Sequence, residues 1–138
     1  MILIDSGAVY ALVDKNDINH TKARRFYAKV VEKESLYTSL PILTETWLLT
    51  NARLGSYFAN RLWMSVSKGI FEILDIDRKD LKSALDIENK YQKAGFGFVD
   101  STCFALCEKY KIRKVFTYDR KHFGIYKPSF SKFLELLP

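Results

Sequence analysis

Short apolar runs alternate along this chain with longer stretches of helical spacing, and turn or cap residues separate them. Ile2-Leu3-Ile4 reads as a short buried strand, closed at once by Asp5-Ser6-Gly7. Residues 6–13 suit a first helix. Asn19 is placed to cap a second helix over 20–33, with Lys22, Arg24, Arg25 and Lys29 on its exposed face. Leu36-Tyr37-Thr38 reads as a second strand. Pro41 suits the first turn of a helix running to Leu54, and Gly55 suits its stop. Ser56 to Ser67 reads as a further helix and Phe71 to Leu74 as a third strand. Asp77 is placed to cap a helix over 78–93. The Gly95-Phe96-Gly97 loop precedes a helix over 99–110, where Val99, Cys103, Leu106, Cys107 and Tyr110 share one face. Lys114 to Thr117 forms a fourth strand. After Phe123 the pattern weakens, and Phe133 to Leu136 suits an edge strand.

Alternating strands and helices predict an α/β fold, with a mainly parallel sheet of four to five strands flanked by helices on both faces. In such sheets sites form beyond the carboxyl ends of the strands. The 138 residues fit one domain, 1–138, because single cores commonly hold about 100–150 residues. No internal repeat, low-complexity tract or linker interrupts it. A hydrophobic fraction of 48% with 14% aromatics excludes general disorder. Six Gly and three Pro exclude collagen-like and linker-like chains. No apolar run approaches the roughly 18 residues of a membrane span. Strand-like residues begin at Met1, so no signal peptide is expected before the fold. Cys103 and Cys107 suggest no disulfide framework, which points to a reducing, cytoplasmic compartment.

Charge changes the picture further. The net charge is +6, and residues 109–138 account for all of it. They hold Lys109, Lys111, Arg113, Lys114, Arg120, Lys121, Lys127 and Lys132 against Asp119 and Glu135, while the other 108 residues carry 14 charges of each sign. A localised basic surface is the footprint of a polyanion partner. A solvated basic face kept for solubility accounts for it equally well.

Four carboxylates stand in suggestive places. Asp5 follows the first strand, Asp119 follows the fourth, and Asp100 opens the helix after the glycine loop. Each suits a helix cap when taken singly. Glu45 differs: it is the only carboxylate between Glu34 and Glu72, and its helical neighbours are Pro41, Ile42, Leu48 and Leu49. A lone carboxylate on an apolar surface is costly to desolvate without a positive partner. Arg53 could be that partner; so could a metal ion shared with the other acids. Clustered carboxylates repel one another unless a cation joins them. Hard oxygen ligands suit Mg²⁺ or Mn²⁺, which can activate water towards a phosphodiester. An acidic centre beside a basic rim is what a nuclease requires.

Four blocks occur in order: ILIDSGAVYALVDKNDINH, SLPILTETWLLTNARLG, GFVDSTCFALCEKYKI and VFTYDRKHF. Together they make the chain resemble the PIN domain over almost its whole length, and within it the VapC-type ribonuclease toxins of toxin–antitoxin pairs. The family's acidic positions match Asp5, Glu45, Asp100 and Asp119. Its hydroxyl positions match Ser6 and Thr117. The resemblance implies a Mg²⁺- or Mn²⁺-dependent endoribonuclease that hydrolyses RNA by a metal-activated water, forms a homodimer and is neutralised by a cognate antitoxin. Asp5, Asp100 and Asp119 would hold the metal, with Glu45 acting through water or as general base. Ser6 and Thr117 would orient carboxylates, or make ordinary turn and cap hydrogen bonds. Arg120, Lys121 and Lys127 are candidates for phosphate contacts. Arg120-Lys121-His122 makes the last block unusually basic.

Neither histidine is assigned a catalytic role. His20 is expected to support the start of the second helix, and His122 is expected in the loop after Asp119. Cys103 and Cys107 read as small buried hydrophobes, and no paired His completes a zinc site. Trp47, Trp63 and many other apolar residues crowd the helices over 40–67, more than two helices usually bury against one sheet, so part of that surface is assigned to a homodimer interface. A PIN-fold RNA-processing nuclease and a non-catalytic RNA- or protein-binding module are the alternatives. Gly7 stands where an aspartyl phosphatase needs a second acid. The paired acids of a receiver domain and a glycine-rich phosphate loop are both absent.

Overall fold

The computed structural model describes all residues 1–138. Five strands form one wholly parallel sheet: β1 (Ile2–Ile4), β2 (Leu36–Ser39), β3 (Glu72–Leu74), β4 (Lys114–Phe116) and β5 (Glu135–Leu137). Their spatial order is β3-β2-β1-β4-β5. Seven α-helices accompany them: α1 (Ser6–Val13), α2 (His20–Val30), α3 (Leu40–Leu54), α4 (Ser56–Ser67), α5 (Arg78–Lys90), α6 (Gly97–Tyr110) and α7 (Arg120–Ile125). The α/β class and the parallel sheet agree with the alternating pattern of the sequence.

β1 is central, and its side chains alternate between the two faces of the sheet. Ile2 and Ile4 point to one face, where they pack with Ala8, Val9, Ala23 and Leu62 from α1, α2 and α4, with Phe71 just before β3 and with Phe116 of β4. Leu3 points to the other, with Ile42, Cys103, Phe104, Cys107 and Phe123 from α3, α6 and α7. Both cysteines are fully buried and free, as small core residues. Phe104 anchors this second layer. Its ring stacks on Tyr126 at 4.2 Å between centroids and meets Phe96 and Phe123 edge-on at 4.8 and 4.9 Å.

Several boundaries differ from the sequence pattern, each for a local reason. α2 stops at Val30 rather than residue 33, in a turn where the Lys33 and Glu34 amides both donate to the Val30 carbonyl. Asn19 occupies the cap position without a side-chain bond. Asp17 instead accepts the Asn19 N–H at 2.8 Å. α5 ends at Lys90 rather than 93, because the chain tightens into a 3₁₀ turn over Gln92–Ala94 before Gly95 at φ +65°. α6 starts two residues early, at Gly97. The Glu88 carboxylate accepts both the Gly97 N–H at 3.1 Å and the Ser101 hydroxyl at 2.8 Å, and so satisfies groups at the new helix start. The edge strand lies at Glu135–Leu137 rather than 133–136. It is fixed by parallel pairing of Val115 with Leu136. Asp77 caps α5 as expected, through a reciprocal capping box with Asp80.

The Phe104 layer generates a stability prediction. Phe104→Ala removes a fully buried ring from the centre of an aromatic group, so urea denaturation should show a loss of about 3–5 kcal/mol.

Candidate active site

The sheet topology brings two of the predicted acids together. β1 leads outward through β2 to β3, and the chain then returns to the other side of β1 for β4. Strand order therefore reverses between β1 and β4, where α/β sheets open a crevice. Asp5 leaves β1 and Asp119 follows β4, at the two lips of that crevice. Backbone pairing continues past the strands, since the Asp5 N–H donates to the Phe116 carbonyl at 3.1 Å. Both acids also act as helix caps, so the capping reading of each holds geometrically. Asp5 Oδ1 accepts the Ala8 N–H at 2.8 Å, and Asp119 Oδ1 accepts the His122 N–H at 2.9 Å. One oxygen of each carboxylate is thereby fixed and the second is turned elsewhere.

Thr117 joins the two lips. It is fully buried, and its hydroxyl donates to Asp5 Oδ2 while accepting the Asp119 N–H at 3.0 Å. The remaining acids arrive from two helices packed on the same face of the sheet. Asp100 sits in the first turn of α6 and Glu45 in the second turn of α3. Asp5, Glu45, Asp100 and Asp119 all line one open cleft of about 520 Å³, together with Ser6, Gly7, Phe96, Gly97, Phe98, Val99 and His122. Phe98 stands at its mouth, 64% exposed. Ser6 and Thr117 both touch acids of the cleft, Ser6 by donating its hydroxyl to Glu45 Oε2.

Glu45 is exposed, so burial on an apolar surface is not its problem. α3 turns Ile42, Thr46 and Thr50 to the core, and Glu45 lies off that stripe, facing the cleft. Nor does Arg53 pair with it; that guanidinium lies over the Tyr10 ring, 5.3 Å from its centroid. His122 is not in a loop. Once Asp119 caps α7, residue 122 lies one turn along, and its ring folds back onto the acids. Its Nδ1 is 2.8 Å from Asp100 Oδ2 and 3.2 Å from Asp119 Oδ2. The Asp-x-x-His spacing carried that signal, hidden by the neighbouring basic residues. His20 behaves as expected: it opens α2, with Nδ1 2.7 Å from the Ala11 carbonyl oxygen.

The basic segment is dispersed by the fold. Lys109 pairs with Asp80 at 2.9 Å and Lys114 with Glu34 at 2.8 Å. Arg120 donates to the Leu136 carbonyl at 3.1 Å and to the Pro138 oxygen, which ties α7 to β5. Lys121 and Lys127 are exposed and have no acidic partner; Lys127 Nζ lies 3.3 Å from the Gly124 carbonyl oxygen. The segment is thus part scaffold and part free charge.

Electrostatics in the cleft are unfavourable by themselves. Burial pushes the Asp5 carboxyl up from 3.8 to about 7, against the Thr117 and Ala8 hydrogen bonds and with help from the nearby Asp100 and Asp119 charges. Burial likewise raises Asp100 to about 6; the His122 hydrogen bond opposes the rise, and Asp119 and Glu45 add to it. Carboxylates held in this way fit a divalent cation, which removes their mutual repulsion and accepts their free oxygens. Asp5, Asp100 and Asp119 are the buried or half-buried oxygen donors. Asp100, Asp119 and His122 offer three donor atoms within 4.8 Å of one another.

These shifts set a pH dependence. A carboxyl whose pKa is higher folded than unfolded keeps a proton that the unfolded chain releases. Stability from that group is therefore full below about pH 4 and is lost as pH rises towards 7. In EDTA, the melting temperature should fall between pH 5 and 8. Asp5→Asn should be more stable than wild type at pH 8, by on the order of 1–3 kcal/mol. Thermal melts with added Mg²⁺ or Mn²⁺ should stabilise wild type and leave this variant nearly unchanged.

The PIN domain family model matches residues 2–127. Ribonuclease VapC26 of Mycobacterium tuberculosis is 24% identical over 127 residues, covering 92% of this chain and 93% of that protein. The 23S rRNA-specific endonuclease VapC20 of the same organism is 28% identical over 126 residues, covering 86% of this chain and 89% of that protein. The crystal structure of M. tuberculosis VapC20, described as a sarcin–ricin loop cleaving toxin, aligns with 100% of both chains at a TM-score of 0.85 and 24% identity, and so shares the fold. The family match spans four of the five strands and every acid of the cleft, and this chain belongs to the PIN domain family.

Proposed function

We propose that this protein is a divalent-metal-dependent endoribonuclease that acts as the toxin of a toxin–antitoxin pair. The observation that carries the proposal is the meeting of Asp5, Glu45, Asp100 and Asp119 in one open cleft at the sheet's switch point. Relatives named as a ribonuclease and a 23S rRNA-specific endonuclease support RNA as substrate. A structural relative described as a toxin supports an antitoxin as partner. No helix is long and apolar enough to cross a membrane, and the proposed site of action is the cytoplasm.

Asp5, Asp100 and Asp119 would hold Mg²⁺ or Mn²⁺. Bound there, the ion would lower the pKa of water and neutralise charge on the scissile phosphate. The chain's own residues do the positioning. Thr117 locks the Asp5 rotamer through its hydroxyl and fixes the backbone that presents Asp119. Ser6 steers Glu45, whose solvent access suits it to take the proton of the attacking water as general base. Lys121 and Lys127 are free to meet phosphates outside the cleft. Arg120 is committed to the β5 backbone, so its contribution is to hold α7 and thus Asp119 in place. The exposed Phe98 ring at the mouth offers a face on which an unpaired base can stack.

A homodimer through α3 and α4 belongs to the same proposal. Leu40, Leu48, Trp63 and Met64 are all more than half exposed. Leu40, Leu48 and Trp63 line an apolar groove of about 430 Å³ with Leu43, Trp47 and Ile73. Apolar side chains on this scale mark a protein contact.

The direct experiment is cleavage of labelled total RNA by the purified chain with Mg²⁺ or Mn²⁺, with EDTA, and with single substitutions. EDTA, Asp5→Asn and Asp100→Asn should each reduce cutting by at least about 100-fold, and Glu45→Gln should do the same while sparing metal binding. Folded, metal-loaded protein that binds RNA without cutting it would favour the binding-module reading. Sedimentation should show a dimer that Leu48→Arg with Trp63→Arg converts to monomer.

A further inference from the structure

His122 is the one donor in the cleft that a four-acid site leaves without a task. Its position is closely defined. The backbone N–H of His122 is held by Asp119 at 2.9 Å, and the ring packs edge-on against Phe96 at 5.5 Å between centroids. These contacts aim Nδ1 at the gap between Asp100 and Asp119. The distances from Nδ1 to the two carboxylate oxygens are 2.8 and 3.2 Å. Ligands in neighbouring positions of an octahedral ion, each about 2.1 Å from it, lie about 3.0 Å apart. The observed spacings bracket that value. Three different local structures, the first turn of α6, the cap of α7 and the body of α7, supply the three atoms.

We infer that His122 is a nitrogen ligand to the cation shared by Asp100 and Asp119, and that it makes the site select Mn²⁺ and related transition ions over Mg²⁺. The inference rests on the proposed cation-binding role of these carboxylates. Its chemistry follows from donor type. Imidazole suits transition ions, whereas Mg²⁺ favours an all-oxygen shell and gives up its water reluctantly. A neutral ring also adds a ligand without adding negative charge to acids that already repel one another. The nearby Glu45 is engaged by the Ser6 hydroxyl, which leaves His122 as the donor directed at this pair.

The test loads the metal-free full chain with MnCl₂ or MgCl₂ and measures binding by calorimetry. Pulsed electron paramagnetic resonance of the Mn²⁺-loaded wild type then reads nitrogen coupling. Wild type should bind Mn²⁺ at least about tenfold more tightly than Mg²⁺, with imidazole ¹⁴N modulation on the manganese signal. In His122→Gln the modulation should vanish. Mn²⁺ affinity should fall at least about tenfold while Mg²⁺ affinity stays within about threefold. Mn²⁺ that binds wild type without ¹⁴N modulation would overturn the inference and leave the carboxylate site standing. Equal losses for both ions in the variant would also overturn it. A wild type that binds neither ion would overturn it together with the proposed metal dependence. The spectroscopic readout uses wild type, so a poorly folding variant does not decide the outcome.

Discussion

The Thr117 hydroxyl bonded to the Asp5 carboxylate links two positions 112 residues apart in the chain. That bond exists because β4 pairs directly with β1, residue for residue from Ile2 with Lys114 to Ile4 with Phe116. β1 is the central strand, and its fully buried Ile2, Leu3 and Ile4 draw helices to both faces. Once β2 and β3 are laid on one side, the only free edge of β1 is the other. The chain must return to fill it, and the return opens a crevice at the carboxyl ends of β1 and β4. Everything at the site depends on that reversal. Asp5 and Asp119 flank the opening, and α6 and α3, packed on the same face of the sheet, bring Asp100 and Glu45 to it.

The same arrangement works against stability. A nearly buried Asp5, with two further acids close by, favours its protonated form up to about pH 7. Such clusters persist when the surrounding structure over-determines them and when their use depends on the tension. Here the surroundings are specific. Thr117 and the Ala8 amide hold Asp5, Glu88 satisfies the start of α6, and Arg120 straps α7 to the edge strand β5. The basic tail contributes to this scaffold as well. Lys109 meets the buried Asp80 of the α5 capping box, and Lys114 ties β4 to Glu34 before β2. Charge that reads from composition as one block becomes, in three dimensions, several separate jobs.

Element order was legible because it depends on local patterning. Ile2-Leu3-Ile4, Leu36-Tyr37-Thr38 and Lys114 to Thr117 are segments too short to be helices and lie within one residue of the observed strands, and Ser56 to Ser67 matched its expected bounds without adjustment. Caps at Asp5, Asp77 and Asp119 were also local, since a side chain reaches only three residues ahead. The differences arose where a distant group replaced a local signal. Glu88 moved the start of α6, and pairing with β4 moved β5. Glu45 shows the limit most plainly: its neighbours in sequence suggested a buried charge, but the direction of its side chain depends on which stripe of α3 faces the sheet.

The sequence by itself determined the class of fold, the succession of elements and the four carboxylates, because periodicity and side-chain chemistry are properties of the chain. Only the tertiary structure decided which of those acids share a cleft, which lysines are spent on ion pairs, and that His122 turns its ring onto Asp100 and Asp119. Those outcomes are distances between residues as much as 112 positions apart, and strand order and helix rotation set them through the packing of two cores against one sheet.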